Sequence, residues 1–154
     1  MLSEREELLK TLRAGPLILR TLIRGLDDAA VRRRPGNGEW AVVEVVGHLG
    51  DTEERALGRL QSILGEEEPF LAAYDPDRLA EEHRYIELEI EPAIDRFERL
   101  RGDHLAALET LDDAGWRRIG RHEEHGPMTV QLQAAHIAGE DGNHLAQVAR
   151  LIPG

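Results

Sequence analysis

Three side chains able to hold a metal ion recur at four-residue intervals near the C-terminal end of the sequence. His136, Glu140 and His144 lie in a segment whose apolar residues follow helical periodicity. Residues four apart lie one above the other on a helix, so Glu140 can share an ion with either histidine. The two histidines are two turns apart, about 12 Å along the helix axis, and are therefore too distant to share one ion.

A third ligand must then come from another helix, and His48 is the obvious candidate. It follows Val45 and Val46 in an apolar-patterned segment, which places it in or beside the core. The simpler interpretation of such a histidine is a hydrogen-bonded core residue. Glu140 and His144 can likewise form an ordinary intrahelical pair. The spacing alone therefore leaves both a metal site and a purely structural role open.

Two motifs connect these residues to a known family. The first contains Trp40, Glu44-Val45, His48-Leu49, Asp51 and Glu53, and the second contains Gly126, Met128-Thr129, 136–139 and 143–147. In order and spacing they resemble the second and last helices of the DinB/YfiT-like four-helix-bundle proteins. The resemblance covers most of the chain, because the intervening residues also fit, namely Asp75, Tyr85, Phe97, Arg101 and 112–116.

The resemblance implies a metal-binding enzyme with histidine ligands at positions 48, 140 and 144. Position 140 is Glu in this sequence, so the implied ligand set becomes His48, Glu140 and His144. Such a set binds Zn²⁺, Fe²⁺, Mn²⁺ or Ni²⁺ and leaves positions open for water or substrate. The alternative is a degenerate site in which Glu140 pairs with a protonated histidine. The residues expected to orient the ligands are His136, Asp51 and Gln147.

These expectations favour a metal-dependent enzyme that acts on a small molecule, either a hydrolase or a transferase that uses a low-molecular-weight thiol. A bound ion can lower the pKa of water or of a thiol and produce a nucleophile near neutral pH. The chain contains no cysteine, so any thiol must belong to a bound small molecule. The alternative function is that of a non-catalytic binding or stress-response bundle.

Composition and charge narrow the class of protein further. The 154 residues suit one domain, 1–154, with 41% hydrophobic and 32% charged residues and a net charge of −11. Such a surface repels phosphate backbones and anionic membranes, so neither nucleic acid nor a membrane is an expected partner. No apolar stretch has the length of a membrane span, and the N-terminal residues lack the apolar core of a signal peptide. We therefore expect a cytoplasmic protein.

Apolar residues at helical spacing predict an all-α fold, a four-helix bundle with a long crossover between the second and third helices. Ser3 and Glu6 match a capping box at the first helix, which Gly15-Pro16 is expected to kink or divide. No strand is predicted, and 116–127 is expected to be irregular. The second long helix is predicted from about Ala41 to Gly65, and a short helix at 77–86. The third long helix is predicted from about Pro92 to before Gly115, and the last at 130–151 after the N-cap Thr129.

The segment 66–76 is too apolar for a plain linker. It carries Phe70, Leu71 and Tyr74 between two prolines. We predict that it covers either one end of the bundle or a partner subunit in a homodimer.

Overall fold

In the computed structural model, which describes residues 1–153, seven α-helices and three short strands follow one another along the chain. They are α1 (Glu4–Ile23), α2 (Asp28–Arg32), α3 (Val42–Gly65), β1 (Phe70–Leu71), α4 (Pro76–Glu82), α5 (Ile90–Glu109), α6 (Asp113–Arg117), β2 (Ile119–His122), β3 (Gly126–Thr129) and α7 (Val130–Leu151). A 3₁₀ turn, Tyr85–Glu87, precedes α5. No helix within the described residues is both long and apolar enough to cross a membrane.

The four long helices α1, α3, α5 and α7 form the predicted bundle. Helix α3 packs against α5 and α7, and α1 packs against the same two helices. The segment between α3 and α5 contains β1, α4 and the 3₁₀ turn, and it is the long crossover predicted from the sequence. Because α3 and α7 are neighbours, side chains on their facing sides can meet.

Side-chain hydrogen bonds fix where three of these helices begin. The predicted capping box is present at α1, where the Ser3 hydroxyl accepts from the Glu6 amide and the Glu6 carboxylate accepts from the Ser3 amide. Thr129 caps α7, as predicted. Ala41, the N-cap of α3, has no side-chain oxygen, and Glu44 instead accepts from its amide at 3.1 Å. Each bond supplies a partner to an amide at the start of a helix.

Gly15 and Pro16 do not divide α1, which continues through both residues, so a division of the helix there was the wrong alternative. Proline lacks an amide hydrogen, and the carbonyl oxygen of Leu12, four residues earlier, therefore has no partner within the helix. The guanidinium of Arg101 on α5 donates to this oxygen at 2.7 Å. Gly15 leaves the necessary space, because a Cβ atom there would lie 2.5 Å from Asp141 Oδ2.

A small sheet lies where the sequence predicted irregular chain and no strand, so that prediction was wrong. The central strand β2 pairs in parallel with β1 and antiparallel with β3. Strands of two to four residues are too short to show period-two alternation. Gly120 and Pro127 make these strands still harder to recognise in the sequence, since both residue types are depleted in strands. Pro127 is tolerated because β3 is an edge strand.

The apolar segment 66–76 covers one end of the bundle, which was one of its two predicted roles. Leu71 is 2% exposed and packs into the cluster that contains Ile63 and Trp116. Phe70, its neighbour on β1, is 69% exposed. The homodimer stays a prediction.

The bundle core consists of two apolar clusters with a polar layer between them. One cluster is built around Val45 and Phe97, and the other around Leu60 and Leu108. In the layer, the Arg101 guanidinium forms ion pairs with Glu53 at 2.9 Å and with Asp141 at 2.7 Å. The buried polar residues of this layer are Glu53, Arg101, His104 and Asp141. Together with the Leu12 carbonyl, the layer joins all four long helices.

Candidate metal centre

The facing sides of α3 and α7 bring His48, Glu140 and His144 together. The Nε2 atoms of the two histidines are 3.0 Å apart, and His144 Nε2 lies 3.1 Å from Glu140 Oε2. One ligand atom from each residue lies within 4.8 Å of the other two. Within residues 1–153, this is the one group of three His, Asp or Glu side chains with such spacing.

The spacing of these atoms fits a single divalent ion. Zn–N bonds are about 2.0–2.1 Å long, so two imidazole nitrogens on one ion lie about 3 Å apart, as they do here. Two nitrogens and one carboxylate oxygen suit Zn²⁺, Fe²⁺, Mn²⁺ and Ni²⁺. Three protein ligands leave coordination positions for water or substrate. The donor set therefore matches the kind of metal that the sequence implied.

The hydrogen bond between His144 and Gln147 determines which His144 nitrogen can bind a metal. The Nδ1–H group of His144 donates to Gln147 Oε1 at 2.9 Å, so in neutral His144 the lone pair is on Nε2. This lone pair faces the Glu140 carboxylate. Burial lowers the pKa of His48 to about 4, and the neighbouring His144 contributes to the same shift. His48 is therefore neutral near pH 7, the form in which imidazole binds a metal.

Groups from the residue before the N-cap of α3, from α3 itself and from the crossover surround His48, which is 4% exposed. The Trp40 ring lies 5.0 Å from the His48 ring, measured between centroids. Thr52 follows one turn later on α3, and its Oγ1 atom is 3.4 Å from His48 Nε2 and 3.1 Å from the Tyr74 hydroxyl. Thr52 and Tyr74 thus place two hydroxyl groups beside the ligand atoms. Sequence reasoning did not identify either residue as part of the site.

Of the residues expected to orient the ligands, Gln147 and His136 lie at different distances from the candidate ligand cluster. Gln147 contacts a ligand directly, through the bond to His144 described above. His136 is half-exposed, and its Nε2 atom lies 4.0 Å from Glu140 Oε1. These two residues are therefore near the cluster, although only Gln147 is within hydrogen-bonding distance of a ligand.

Asp51 makes no hydrogen bond to the three candidate ligands within residues 1–153. Its carboxylate accepts hydrogen bonds from the Tyr85 hydroxyl, from His83 at 2.6 Å and from Arg96 at 3.0 Å. Asp51 lies three residues after His48, so their side chains point about 60° apart around the axis of α3. On that side the carboxylate meets α5 and the crossover, and it holds those elements together.

The ligand cluster lines a cavity of about 310 Å³. Its walls come from α3, α7, the crossover and the β2–β3 hairpin. Cavities of this size accept small organic molecules. The residues that line this cavity beside the ligand cluster include Trp40, Thr52, Arg55, Arg59, Tyr74 and Glu124.

The family model of the DinB superfamily matches residues 11–148. The chain belongs to the DinB superfamily. It is 30% identical over 149 residues to a protein of Geobacillus kaustophilus named a putative metal-dependent hydrolase, with 96% of this chain and 84% of the relative covered. A protein of Oceanobacillus iheyensis with the same name is 27% identical over 136 residues, or 88% of this chain and 78% of the relative.

The fold of this DinB-superfamily chain also matches a solved structure. YfiT from Bacillus subtilis, described as a probable metal-dependent hydrolase with an unusual four-helix bundle topology, superposes with a TM-score of 0.89. The match covers 98% of this chain and 88% of YfiT at 22% sequence identity. The resemblance to the family inferred from the sequence is thereby confirmed, as is the all-α bundle.

Two histidines of the DinB-superfamily chain reach the cavity from a loop in which the sequence indicated no functional role. His122 and His125 lie at the β2–β3 hairpin, with their ring centroids 4.6 Å apart. His122 Nδ1 accepts hydrogen bonds from the amides of Glu124 and His125, which stabilises the turn. Their position depends on the hairpin, and the strands that form it were not predicted.

Proposed function

We propose that this DinB-superfamily protein is a metal-dependent hydrolase that holds one divalent ion through His48, Glu140 and His144 and acts on a small molecule. The observation that carries the proposal is the convergence of three potential ligand atoms, with separations of 3.0 and 3.1 Å, at the wall of a cavity. The names of the relatives support the same class of reaction.

A divalent ion bound there supplies Lewis acidity, which lowers the pKa of water and polarises a carbonyl or phosphoryl oxygen. The protein's own groups then bind and orient the reactants. Thr52 Oγ1 offers both a donor and an acceptor beside His48 Nε2, and the Tyr74 hydroxyl fixes its position at 3.1 Å. These groups can orient a water molecule or a substrate oxygen next to the ligands.

His136 is placed to move protons between the cavity and solvent. Its imidazole is half-exposed and lies 4.0 Å from Glu140 Oε1. Histidine is the side chain that enzymes use most often for general acid–base catalysis. The Glu140 carboxylate lies beside the Nε2 atom of His136.

The test of the metal site compares metal content among variants purified without a chelating tag. We expect one Zn²⁺ per wild-type chain, at least tenfold weaker binding in Glu140→Gln and His144→Ala, and retained binding in Glu140→His. His83→Ala serves as the control, because His83 is exposed and bonds to Asp51 outside the cluster. Equal metal content in wild type, Glu140→Gln and His144→Ala would eliminate the site.

The test of the reaction uses chromogenic ester, amide and phosphoester substrates with the metal-loaded protein. Hydrolysis that a chelator abolishes and Zn²⁺ restores is the expected result. Activity only in the presence of an added small thiol would instead support the transferase predicted from the sequence. Metal binding without any turnover would support the non-catalytic bundle.

A further inference from the structure

We propose that Arg55 and Arg59 form an anion-binding subsite in the metal cavity, so that its substrate carries a carboxylate or phosphate group. The assignment of this anion as the substrate rests on the proposed function. The binding of the anion does not, because it depends on residues other than the three metal ligands.

Both arginines belong to the stripe of α3 that faces the cavity. His48, Thr52, Arg55 and Arg59 are spaced by four, seven and eleven residues from the first, which places them on one side of the helix. All four line the cavity. Long side chains on a helix lean toward its N-terminus, which here is the direction of His48. The guanidinium groups therefore extend along the wall toward the ligand cluster.

Within residues 1–153, neither arginine has a carboxylate partner, although the chain contains 30 acidic residues against 19 basic ones. Among residues 1–153, every other arginine that is buried or half-buried forms an ion pair, namely Arg5, Arg20, Arg32, Arg96 and Arg101. Arg59 donates to the carbonyl oxygen of Ala72, and Arg55 has no hydrogen-bond partner within the same residues. An anion in the cavity is the missing counter-charge.

Tyr74 holds the two guanidinium groups over one face of the cavity. Its ring centroid lies 4.4 Å from the Arg55 Cζ atom and 5.9 Å from the Arg59 Cζ atom. Cation–π contact positions a guanidinium without using its N–H donors. The donors of Arg55, and those of Arg59 other than the one bound to the Ala72 carbonyl, stay available for bonds to a carboxylate or phosphate. Burial lowers the pKa of Arg59, and the charge of Arg55 adds to this effect, which an anion would reverse.

A continuous set of contacts connects this pair to the metal ligands. Arg55 lies on the Tyr74 ring, the Tyr74 hydroxyl is 3.1 Å from Thr52 Oγ1, and that oxygen is 3.4 Å from His48 Nε2. One small molecule can therefore contact the arginines at one end and the ligand cluster at the other. Two arginines and a divalent ion face two carboxylates, Glu124 and Glu140, so the loaded cavity has a positive net charge within an acidic protein.

The experiment measures binding of benzoate, phenylphosphonate and neutral benzamide to metal-free protein by titration calorimetry near neutral pH. We expect at least one of the two anions to bind. Benzamide should bind at least tenfold more weakly than that anion. The tighter of the two anions identifies the group as a carboxylate or a phosphate. Arg55→Gln and Arg59→Gln are each expected to weaken anion binding about tenfold, the size of a charge-assisted hydrogen bond.

Arg99→Gln is the matched control, because it removes the same charge from an exposed position on α5 that does not line the cavity. It should change anion affinity less than twofold. Equal binding of benzamide and the anions, or equal effects of Arg99→Gln and Arg55→Gln, would overturn the subsite. A protein that binds no Zn²⁺ yet binds an anion through Arg55 would overturn the proposed function alone. Zn²⁺ binding without arginine-dependent anion binding would overturn this inference alone.

Discussion

Replacement of Arg101 by methionine tests the polar layer that joins the four long helices. The Arg101 side chain is 1% exposed and donates four hydrogen bonds. They reach the Leu12 carbonyl at 2.7 Å, the two Asp141 oxygens at 2.7 and 2.8 Å, and Glu53 at 2.9 Å. Methionine keeps an unbranched stem but has no guanidinium, no charge and no donor, so both carboxylates and the carbonyl lose this partner.

The expected loss in the free energy of unfolding is large relative to the stability of a domain. Removal of one partner of a buried ion pair costs about 3–5 kcal/mol, and an unpaired buried carbonyl adds about 1 kcal/mol. We therefore expect Arg101→Met to lose about 4–6 kcal/mol, against a total stability of about 5–15 kcal/mol for a typical domain. If this variant does not fold, Arg101→Lys, which keeps the charge but not the bidentate geometry, should fold with a smaller loss.

A double-mutant cycle with Pro16→Ala isolates the bond to the Leu12 carbonyl. Alanine at position 16 supplies the amide hydrogen that proline lacks, so the carbonyl gains a partner within α1. The loss caused by Arg101→Met should then be smaller by about 1 kcal/mol than in the wild-type background. If the two substitutions were additive, Pro16 and Arg101 would not share this carbonyl.

The assay is urea-induced unfolding followed by circular dichroism, with Arg99→Met as the control on the same helix. Arg99 is exposed and forms no ion pair within residues 1–153, so its replacement should change stability by less than about 0.5 kcal/mol. Unfolding of Arg101→Met and Arg99→Met at the same urea concentration would contradict the predicted role of Arg101 in stability. That result would mean that water or rearranged side chains replace the four bonds without cost.

Three further predictions concern pH, packing and assembly. Burial raises the pKa of Asp51, but hydrogen bonds, the largest from Tyr85, outweigh it and hold that pKa below its ordinary value of 3.8. The stability this group contributes is therefore present above about pH 4 and lost as the pH falls below it, and Asp51→Asn should flatten this decline in acid titrations of the unfolding free energy. Gly120→Ala places a Cβ atom 2.6 Å from a leucine methyl group and should cost about 1–3 kcal/mol in urea unfolding, whereas Gly58→Ala on open helix surface should not destabilise. If the predicted homodimer uses the exposed Phe70, Phe70→Ser should halve the mass seen in solution scattering, and a monomer mass for wild type at all concentrations excludes the dimer.

The long helices could be predicted because each buries one apolar stripe. In α3, Val45, Val46, Leu49 and Leu60 recur at helical spacing and are all buried. The same periodicity placed His48 on or beside the buried side, where it lies. Spacing on α7 placed Glu140 and His144 on one side of their helix. These positions depend only on the local sequence, and for that reason they could be predicted without the tertiary structure.

The rest of the cavity depends on contacts between distant parts of the chain. Tyr74 approaches Thr52 only because β1 pairs with β2 and carries the crossover across α3. Those strands contain two to four residues, and no periodicity can reveal them. The absence of an ion pair at Arg55 within residues 1–153 likewise cannot be predicted from a sequence with many acidic residues. Local spacing predicted that Asp51 lies near His48. It could not predict that Arg96 on α5 binds the Asp51 carboxylate.

The ion pair of the polar layer also sets the geometry of the proposed metal ligands. Asp141 and Glu140 are adjacent on α7, so their side chains point about 100° apart around the helix axis. A bidentate bond to Arg101 is directional, and it fixes both the rotation and the height of α7 against α5 and α1. With Asp141 held there, Glu140 must face α3, where His48 lies. A one-residue shift of α7 would break the buried ion pair and turn Glu140 away from His48, so the structure that stabilises the bundle also selects the register of the site.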